Sequence, residues 1–542
     1  MHIPATGRAL RLLAWILIGL ALRIVVLGND SLWLDEGYTA WTAHLPPAEH
    51  RAARAHDDAP PLYYGLQRIL VPILPPGEAS VRLLSAAAGA AGVAWLALCP
   101  PSTIALEAPA AFLSIGTYGV GHGRQARSYA LLMLWEAILI TATARALQGR
   151  RRWLILVTLS EAAALWTHNV AATLVVAANL AWLLCGRRDP GRWFISQAAA
   201  LLLWSPCLVQ SAIQWAAHAS LNSWIADFWK KIPLAVAPLL SLACFTSGAR
   251  VWLTLPNLRW AYTGPGSAPL SILAFASVGA LLIAAFRART RREALLAASF
   301  TLAPLLCLSA LSSLTQPSYI LGRTDAVAYV GFLVWCALGL SGLPRPARWG
   351  ALAILAISTI LATATSLPIG PHAHAHDRAV GIALRREVRA GDWVAFVGLS
   401  RPSIDYYLSS GRPGRADPMI RRLHFPAIFG DNPAADYSTP GDSLRAWEHE
   451  AQRLRARFES QAGPESFLYF VGPIQPSAPH EETAENLPYP GSVLAYTLNG
   501  LRPLAPIIRL RGDGVAVDWI VFRVRRDSLI PLEELKPIEA QP

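Results

Sequence analysis

A polytopic α-helical membrane protein with a smaller soluble α/β domain at its C-terminal end is the fold class this sequence predicts, on three observations. Of its 542 residues 54% are hydrophobic and only 15% charged, with a mean hydropathy of +0.36, which exceeds what a soluble core needs. Apolar runs of bilayer-spanning length recur up to residue 367. Arginine clusters fall between those runs, as cytoplasmic loops require under the positive-inside rule.

Runs of about 17 to 21 apolar residues begin near Leu12, Leu83, Ile104, Ala130, Trp153, Ala171, Trp193, Leu270, Leu295, Ala326 and Ala351, giving about 11 transmembrane helices. The first run is interrupted by Arg23, and no small-residue cleavage site precedes Asn29. It therefore reads as an uncleaved anchor rather than a secretory signal. Arg8 and Arg11, Arg150 to Arg152, Arg187 to Arg192, Arg287 to Arg292 and Arg345 to Arg348 are assigned to the cytoplasmic side. The N-terminus is then inside, and the Thr167-His168-Asn169 turn and the C-terminus are outside. The net charge of +12 is thus explained by membrane flanks, and no nucleic-acid partner is expected.

A twelfth span over 232–248 would put the Arg287 cluster on the wrong side, and Pro233 and Pro238 weaken it. That segment is expected as a re-entrant or interfacial part of a long external loop, 214–269. Trp215, Trp224, Phe228, Trp229, Trp252 and Trp260 suit an interfacial belt. A second long external loop covers 28–80. All six cysteines precede Ala337, mostly in apolar runs, and imply no disulfide framework.

Composition changes near Pro368, where His372, His374 and His376 alternate with alanine in a linker. Residues 368–542 are expected to form an external, periplasmic α/β domain. Its strands are read at 393–398, 466–472 and 515–524, and its helices at 377–389, 403–408 and 443–461.

The first long loop opens with Leu32-Trp33-Leu34-Asp35-Glu36-Gly37-Tyr38, just past the first span. A carboxylate at the mouth of a membrane cavity is partly desolvated and more basic, which suits a general base. The bland alternative is a solvated flank. The same loop continues His56-Asp57-Asp58-Ala59-Pro60-Pro61-Leu62-Tyr63-Tyr64, a second acidic cluster. Arg124 and Arg127 lie at an external span end beside Tyr129, and Arg323 precedes another span from the same side. Paired guanidinium N–H groups suit phosphate, whereas snorkelling to headgroups is the structural alternative. For Arg23 two roles are open, headgroup contact or orienting the acidic pair.

Trp33 to Tyr38, Asp57 to Tyr64, Arg82-Leu83-Leu84-Ser85, Gln125 to Leu131 and Thr167-His168-Asn169 resemble, in order, motifs of the GT-C glycosyltransferases. The branch they look like is the aminoarabinose-transferase-like and protein-O-mannosyltransferase-like one (glycosyltransferase family 39/83 type). The resemblance spans residues up to about 367 and implies a GT-C transmembrane catalytic domain over 1–367. It implies transfer of a sugar from a polyprenyl phosphate to a lipid, cell-wall glycan or protein acceptor on the external face. The catalytic residue it implies is Asp35, with Glu36 as the second member of the acidic pair. Substrate-binding candidates are His56, Asp57, Asp58, Tyr63, Tyr64, Arg124, Arg127, Tyr129, His168 and Arg323. Gln125 departs from the acidic residue common at that place in relatives, which puts a charge or metal role there in doubt. A divalent ion (Mg, Mn or Zn) is an open candidate, with Asp35, His56, Asp58 and His168 as its candidate ligands and His122 on the same face.

The alternative reading is a multi-pass transporter or flippase of lipid-linked glycans, since intramembrane ionisable residues also mark substrate pathways. It is disfavoured because the acidic clusters gather in one external loop and no inverted repeat is visible. An alanine- and arginine-rich composition points to a bacterial inner (cytoplasmic) membrane.

Overall fold

The computed structural model describes residues 5–55, 59–101, 107–186, 189–217, 225, 229, 233–247, 268–286, 291–315, 317–366, 376–397, 400–411, 419–425, 442–474, 494, 497–498, 508–510 and 518–529. The chain divides into two compact units. One comprises Met1–Leu27, Asp58–Leu66 and Arg82–Ile369; the other comprises Gly28–Asp57, Gln67–Val81 and Gly370–Pro542.

The first unit is helical. Among the described residues five helices are long and apolar enough to cross a membrane: Glu78–Leu98, Tyr129–Leu147, Pro190–Ala212, Arg291–Leu314 and Thr324–Gly342. Shorter apolar helices include Trp153–Thr167 and Asn169–Cys185. The helix Pro190–Trp204 leaves Phe194, Ile195 and Leu202 exposed, a lipid-facing pattern that water would penalise. The expected third span is broken into Ala108–Ile115 and Thr117–Gly123, separated at Gly116.

Glycines set the closest helix crossings, since without a hydrophobic drive between helices in lipid, close backbone approach supplies the packing. A Cβ on Gly331 would lie 2.8 Å from the Phe300 carbonyl carbon, and Gly339 abuts the Leu281 carbonyl. These contacts join Tyr329–Gly342 to Arg291–Leu314 and to Ala268–Ala284.

Several charged groups buried inside this unit are bonded to backbone or side-chain partners, which offsets the cost of burial. Arg23 is fully buried and donates to Gly19 O at 2.8 Å, Leu113 O at 2.9 Å and Ser114 O at 3.3 Å. Neither role expected for it is observed; it ties the first helix, Ala5–Ile24, to Ala108–Ile115. Gly89 and Gly123 make room, since Cβ atoms there would fall 2.5 Å and 2.8 Å from its Nε. Glu136 accepts Val330 N–H at 3.1 Å and Gly331 N–H at 2.8 Å, at a helix N-terminus where a carboxylate is favoured. Glu161 accepts twice from Gln197 Nε2, at 2.9 and 3.1 Å, and Gln197 in turn accepts from Asn179.

Of the segment expected as re-entrant or interfacial, Ala237–Ser247 is an 11-residue helix. Its Ser241, Cys244 and Phe245 are buried among the other helices. Trp229, expected in an interfacial belt, is instead buried, and its Nε1–H donates to Tyr319 O at 2.7 Å. Trp224, Phe228, Trp252 and Trp260 lie outside the described residues, as do His372 and His374.

In the second unit, five strands, β1 (Trp393–Val397), β2 (Arg421–Phe425), β3 (Phe467–Ile474), β4 (Ile508–Leu510) and β5 (Asp518–Arg525), form one sheet in the order β2-β1-β3-β5-β4. β1 pairs in parallel with β2 and β3, and β5 pairs antiparallel with β3 and β4. Alternate residues face opposite sides of a strand, and both sides are covered. Trp393, Ala395, Val397, Phe470 and Phe522 pack with Trp447, Ala451 and Phe458 of the helix Asp442–Gln461. Val394, Phe396, Tyr469, Val471 and Val521 pack with Val380 and Leu384 of His376–Glu387 and with Ile404 and Leu408 of Arg401–Leu408. The segment 28–57 adds two helices, Leu34–His44 and Pro47–Ala55, and the first packs on Arg401–Leu408.

Candidate active site

The acidic pair opens the helix Leu34–His44, with Asp35 and Glu36 in its first turn. Carboxylates are favoured there by the unpaired N–H groups and the helix dipole, by about 0.3–1 kcal/mol. Leu45 is extended ahead of Pro46, which ends the helix. Asp35 is half-buried and Glu36 is buried, as is every residue from Gly37 to Ala43. Asp35 is thus the more exposed acid of the pair, on a helix that is buried from Glu36 to Ala43. Thr39 Oγ1–H donates to Asp35 O at 3.0 Å and Thr42 Oγ1–H to Tyr38 O at 2.8 Å.

His50, in the neighbouring helix, donates through Nδ1 to Thr42 O at 2.8 Å. Burial pushes its pKa below the ordinary histidine value; the bond to Thr42 opposes this and the charges of Arg68 and Arg54 reinforce it.

The helical unit brings other candidates together. Tyr63 and Tyr64, adjacent in Pro61–Leu70, are buried with their rings edge to face at 5.7 Å. Arg127 Nη1–H donates to Tyr64 Oη at 2.9 Å. Ser85 Oγ–H donates to Arg127 O at 3.0 Å, so the 2.8 Å contact between Tyr63 and Ser85 has the tyrosine as donor. Arg127 is therefore held through both its head and its backbone, while its side chain stays partly exposed.

Arg124 is engaged differently. Its guanidinium donates to Leu22 O at 3.1 Å, Val25 O at 2.6 Å and Val26 O at 3.1 Å. It satisfies carbonyls in the last turn of the first helix and just past its end, a capping role.

A line of rings runs Tyr118, His122, Tyr129, His168, with successive centroids 4.6, 4.9 and 5.5 Å apart. His168 Nδ1 accepts Val170 N–H at 3.3 Å, which puts the proton of the neutral ring on Nε2. Arg323 is half-buried in the turn before the 3-10 helix Thr324–Ala328, following Gly322 with φ +77°.

Asp325, which is not among the candidates legible in the sequence, anchors that turn. It is fully buried and accepts from Tyr118 Oη at 2.7 Å, Ser241 Oγ at 2.6 Å and Gly322 N at 3.1 Å. Tyr319 Oη donates to Ser241 at 2.8 Å. A carboxylate at the head of an apolar run is a signal that would have found it.

His56, Asp57 and Asp58 lie outside the described residues. Among the described residues no group of three or more metal-ligating side chains gathers.

Among the described residues the helical unit holds five helices long and apolar enough to cross a membrane, and the class of fold is that of a solved membrane oligosaccharyltransferase. The chain is similar to the oligosaccharyltransferase of Archaeoglobus fulgidus, whose structure was solved with a tethered acceptor peptide, at a TM-score of 0.54 and 13% identity, over 95% of this chain and 74% of that one. It is also similar to ArnT from Cupriavidus metallidurans bound to undecaprenyl phosphate, at a TM-score of 0.43 and 15% identity, over 96% and 98%. A third is the Archaeoglobus fulgidus enzyme AglB with an inhibitory peptide and a dolichol-phosphate, at 0.47 and 14%, over 86% and 69%. No family model and no curated protein matches the sequence.

Proposed function

We propose that this chain is a membrane glycosyltransferase that moves a sugar from a polyprenyl-phosphate donor to a hydroxyl of a lipid, glycan or protein acceptor, with inversion, at the external face of a bacterial inner membrane. One observation carries the reading: within a chain of GT-C fold, a half-buried carboxylate, Asp35, stands in the first turn of a helix that is otherwise buried. On this reading residues 1–367 are the catalytic membrane domain, with external loops 28–80 and 214–269, and 368–542 is the periplasmic domain.

Asp35 takes the acceptor's hydroxyl proton as the acceptor oxygen bonds to the anomeric carbon. The bond from that carbon to the phosphate oxygen breaks on the opposite side, and the electron pair leaves with polyprenyl phosphate. Arg127 and Arg323 offer charge-assisted N–H donors to the departing phosphate. Tyr64 fixes the head of Arg127, and Asp325 fixes the turn that presents Arg323. Glu36, buried in the same helix turn as Asp35, is the second acid of the pair, and Tyr129 and His168 are further substrate-binding residues on this reading.

The test is release or transfer of sugar from radiolabelled polyprenyl-phosphate-mannose or polyprenyl-phosphate-arabinose by the purified protein, against Asp35→Asn at matched thermal melting. A general base contributes about 10²–10⁴-fold, and a loss of that size in the variant is the expected outcome. Wild-type turnover in the variant would remove Asp35 as the base. Inactivity of the wild type with every lipid-linked sugar would favour the transporter.

A further inference from the structure

The helix that carries Asp35 is gripped by the C-terminal part of its own unit. A Cβ on Gly37 would fall 2.5 Å from Cα and 2.6 Å from N of Ser403, so Leu34–His44 and Arg401–Leu408 touch backbone to backbone two residues after Asp35. Only glycine permits that approach. One turn further on, the Arg401 guanidinium stands 5.3 Å from the centre of the buried Trp41 ring, within cation–π range. Asp405, itself 2% exposed, lies 3.7 Å from Arg401 Nε and 2.9 Å from Arg422 Nε on β2, which ties the gripping helix to the sheet.

The segment leading into the acidic helix is tied to the same element. Leu32 N–H donates to Tyr407 Oη at 2.6 Å, and Tyr407 donates to Glu78 Oε1 at 3.0 Å. Arg378 Nε is 2.7 Å from the same Glu78 oxygen, and its Nη2 donates to Gly28 O and Asn29 O at 3.0 and 3.1 Å. Arg378 N–H donates to Ser31 Oγ at 3.1 Å. Behind these contacts, Gly381 lets His376–Glu387 close onto Tyr407 and the Ile404 carbonyl.

We infer that the helix Arg401–Leu408 is a clamp that sets the position of Asp35, and that Ser403, Arg401 and Tyr407 are positioning residues for the transfer step. This rests on Asp35 being the base. Three layers, the sheet, the clamp and the acidic helix, then form one rigid stack. The C-terminal region is part of the catalytic apparatus, because a misplacement of about 1 Å of a catalytic group costs about 10²-fold in rate.

Four variants test this with polyprenyl-phosphate-mannose or -arabinose as donor, compared with Asp35→Asn alone: Gly37→Ala, the isosteric Tyr407→Phe, and each of these combined with Asp35→Asn. Gly37→Ala must part the two helices, and about a 100-fold fall in kcat is expected, with donor KM within about twofold. Tyr407→Phe keeps the packing but strands the buried Leu32 N–H, so a lower melt is expected together with about a tenfold fall in the kcat of the folded fraction. In the Asp35→Asn background neither substitution should cost more, because a residue acting through Asp35 has nothing left to position. If Asp35→Asn is inactive while Gly37→Ala and Tyr407→Phe keep wild-type kcat, or if their losses multiply with that of Asp35→Asn, the clamp is overturned and the base stands. If Asp35→Asn turns over normally, the base reading fails and the clamp falls with it.

Discussion

The phenolic oxygen of Tyr118 lies 2.7 Å from Oδ1 of Asp325, and both side chains are fully buried. Two further donors, Ser241 Oγ and Gly322 N, converge on Oδ2. Removing a shared acceptor strands every donor that used it, at about 1–3 kcal/mol per buried group. Asp325→Ala is therefore expected to destabilise the detergent-solubilised protein by at least about 3 kcal/mol, read as a lowered melting temperature. Asp325→Asn, which keeps one acceptor oxygen, should fall between the two. A melt of Asp325→Ala equal to wild type would refute the anchoring role.

On the proposed reading Arg127 is one of two arginines that meet the departing phosphate, and its guanidinium donates to Tyr64 Oη at 2.9 Å. Loss of one stabilising donor in a transition state costs about 10²–10³-fold, so Arg127→Gln should lower kcat by that order. Tyr64→Phe should lower kcat by about tenfold, the value of one hydrogen bond to a charged group. Arg124 makes the contrast: its donors serve Leu22, Val25 and Val26 carbonyls. Arg124→Gln should lower the melting temperature and leave the kcat of the folded fraction within about twofold.

His50 gives an acid limb to stability. Its folded pKa is lowered, by burial first, so the folded state prefers the neutral ring. Its contribution is complete above the unfolded value, about 6.5, and is lost as pH falls from there through the folded pKa. Melting temperature recorded from pH 7.5 to 5 should fall more steeply for wild type than for His50→Gln. Parallel curves would remove His50 from the acid response.

Gly339 faces the Leu281 carbonyl at a helix crossing inside the helical unit. Gly339→Val must push the helices apart, and overpacking costs about 1–3 kcal/mol. The expected readout is a lower melt and reduced yield of folded protein. An unchanged melt would show that the crossing is not tightly packed.

Much of the architecture is legible in local sequence because it rests on local properties. Apolar runs starting near Leu83, Ala130 and Leu295 fall in the long helices Glu78–Leu98, Tyr129–Leu147 and Arg291–Leu314, since hydropathy depends only on which residues are adjacent. In the C-terminal region the short apolar stretch read as a strand at 393–398 lies on β1, and the helix read at 443–461 on Asp442–Gln461. β2 is not legible in local sequence, because Arg421-Arg422-Leu423-His424-Phe425 carries edge-strand charges that mask the alternation. β4 is three residues long, too short for any period to register.

By itself the sequence determined that this is a multi-helix membrane protein, where its apolar helices lie, and that its first long loop carries an acidic pair. Only the tertiary structure decided what the polar residues do: that Arg23 and Arg124 serve backbone carbonyls, that Arg127 meets Tyr64, and that Asp325 collects three donors. It alone showed that Gly37 touches Ser403, some 366 residues on by the numbering. The reason is physical. A residue's affinity for lipid is set by its own side chain and its neighbours along the chain, whereas a hydrogen bond or a glycine contact is set by which backbones folding brings within about 3 Å.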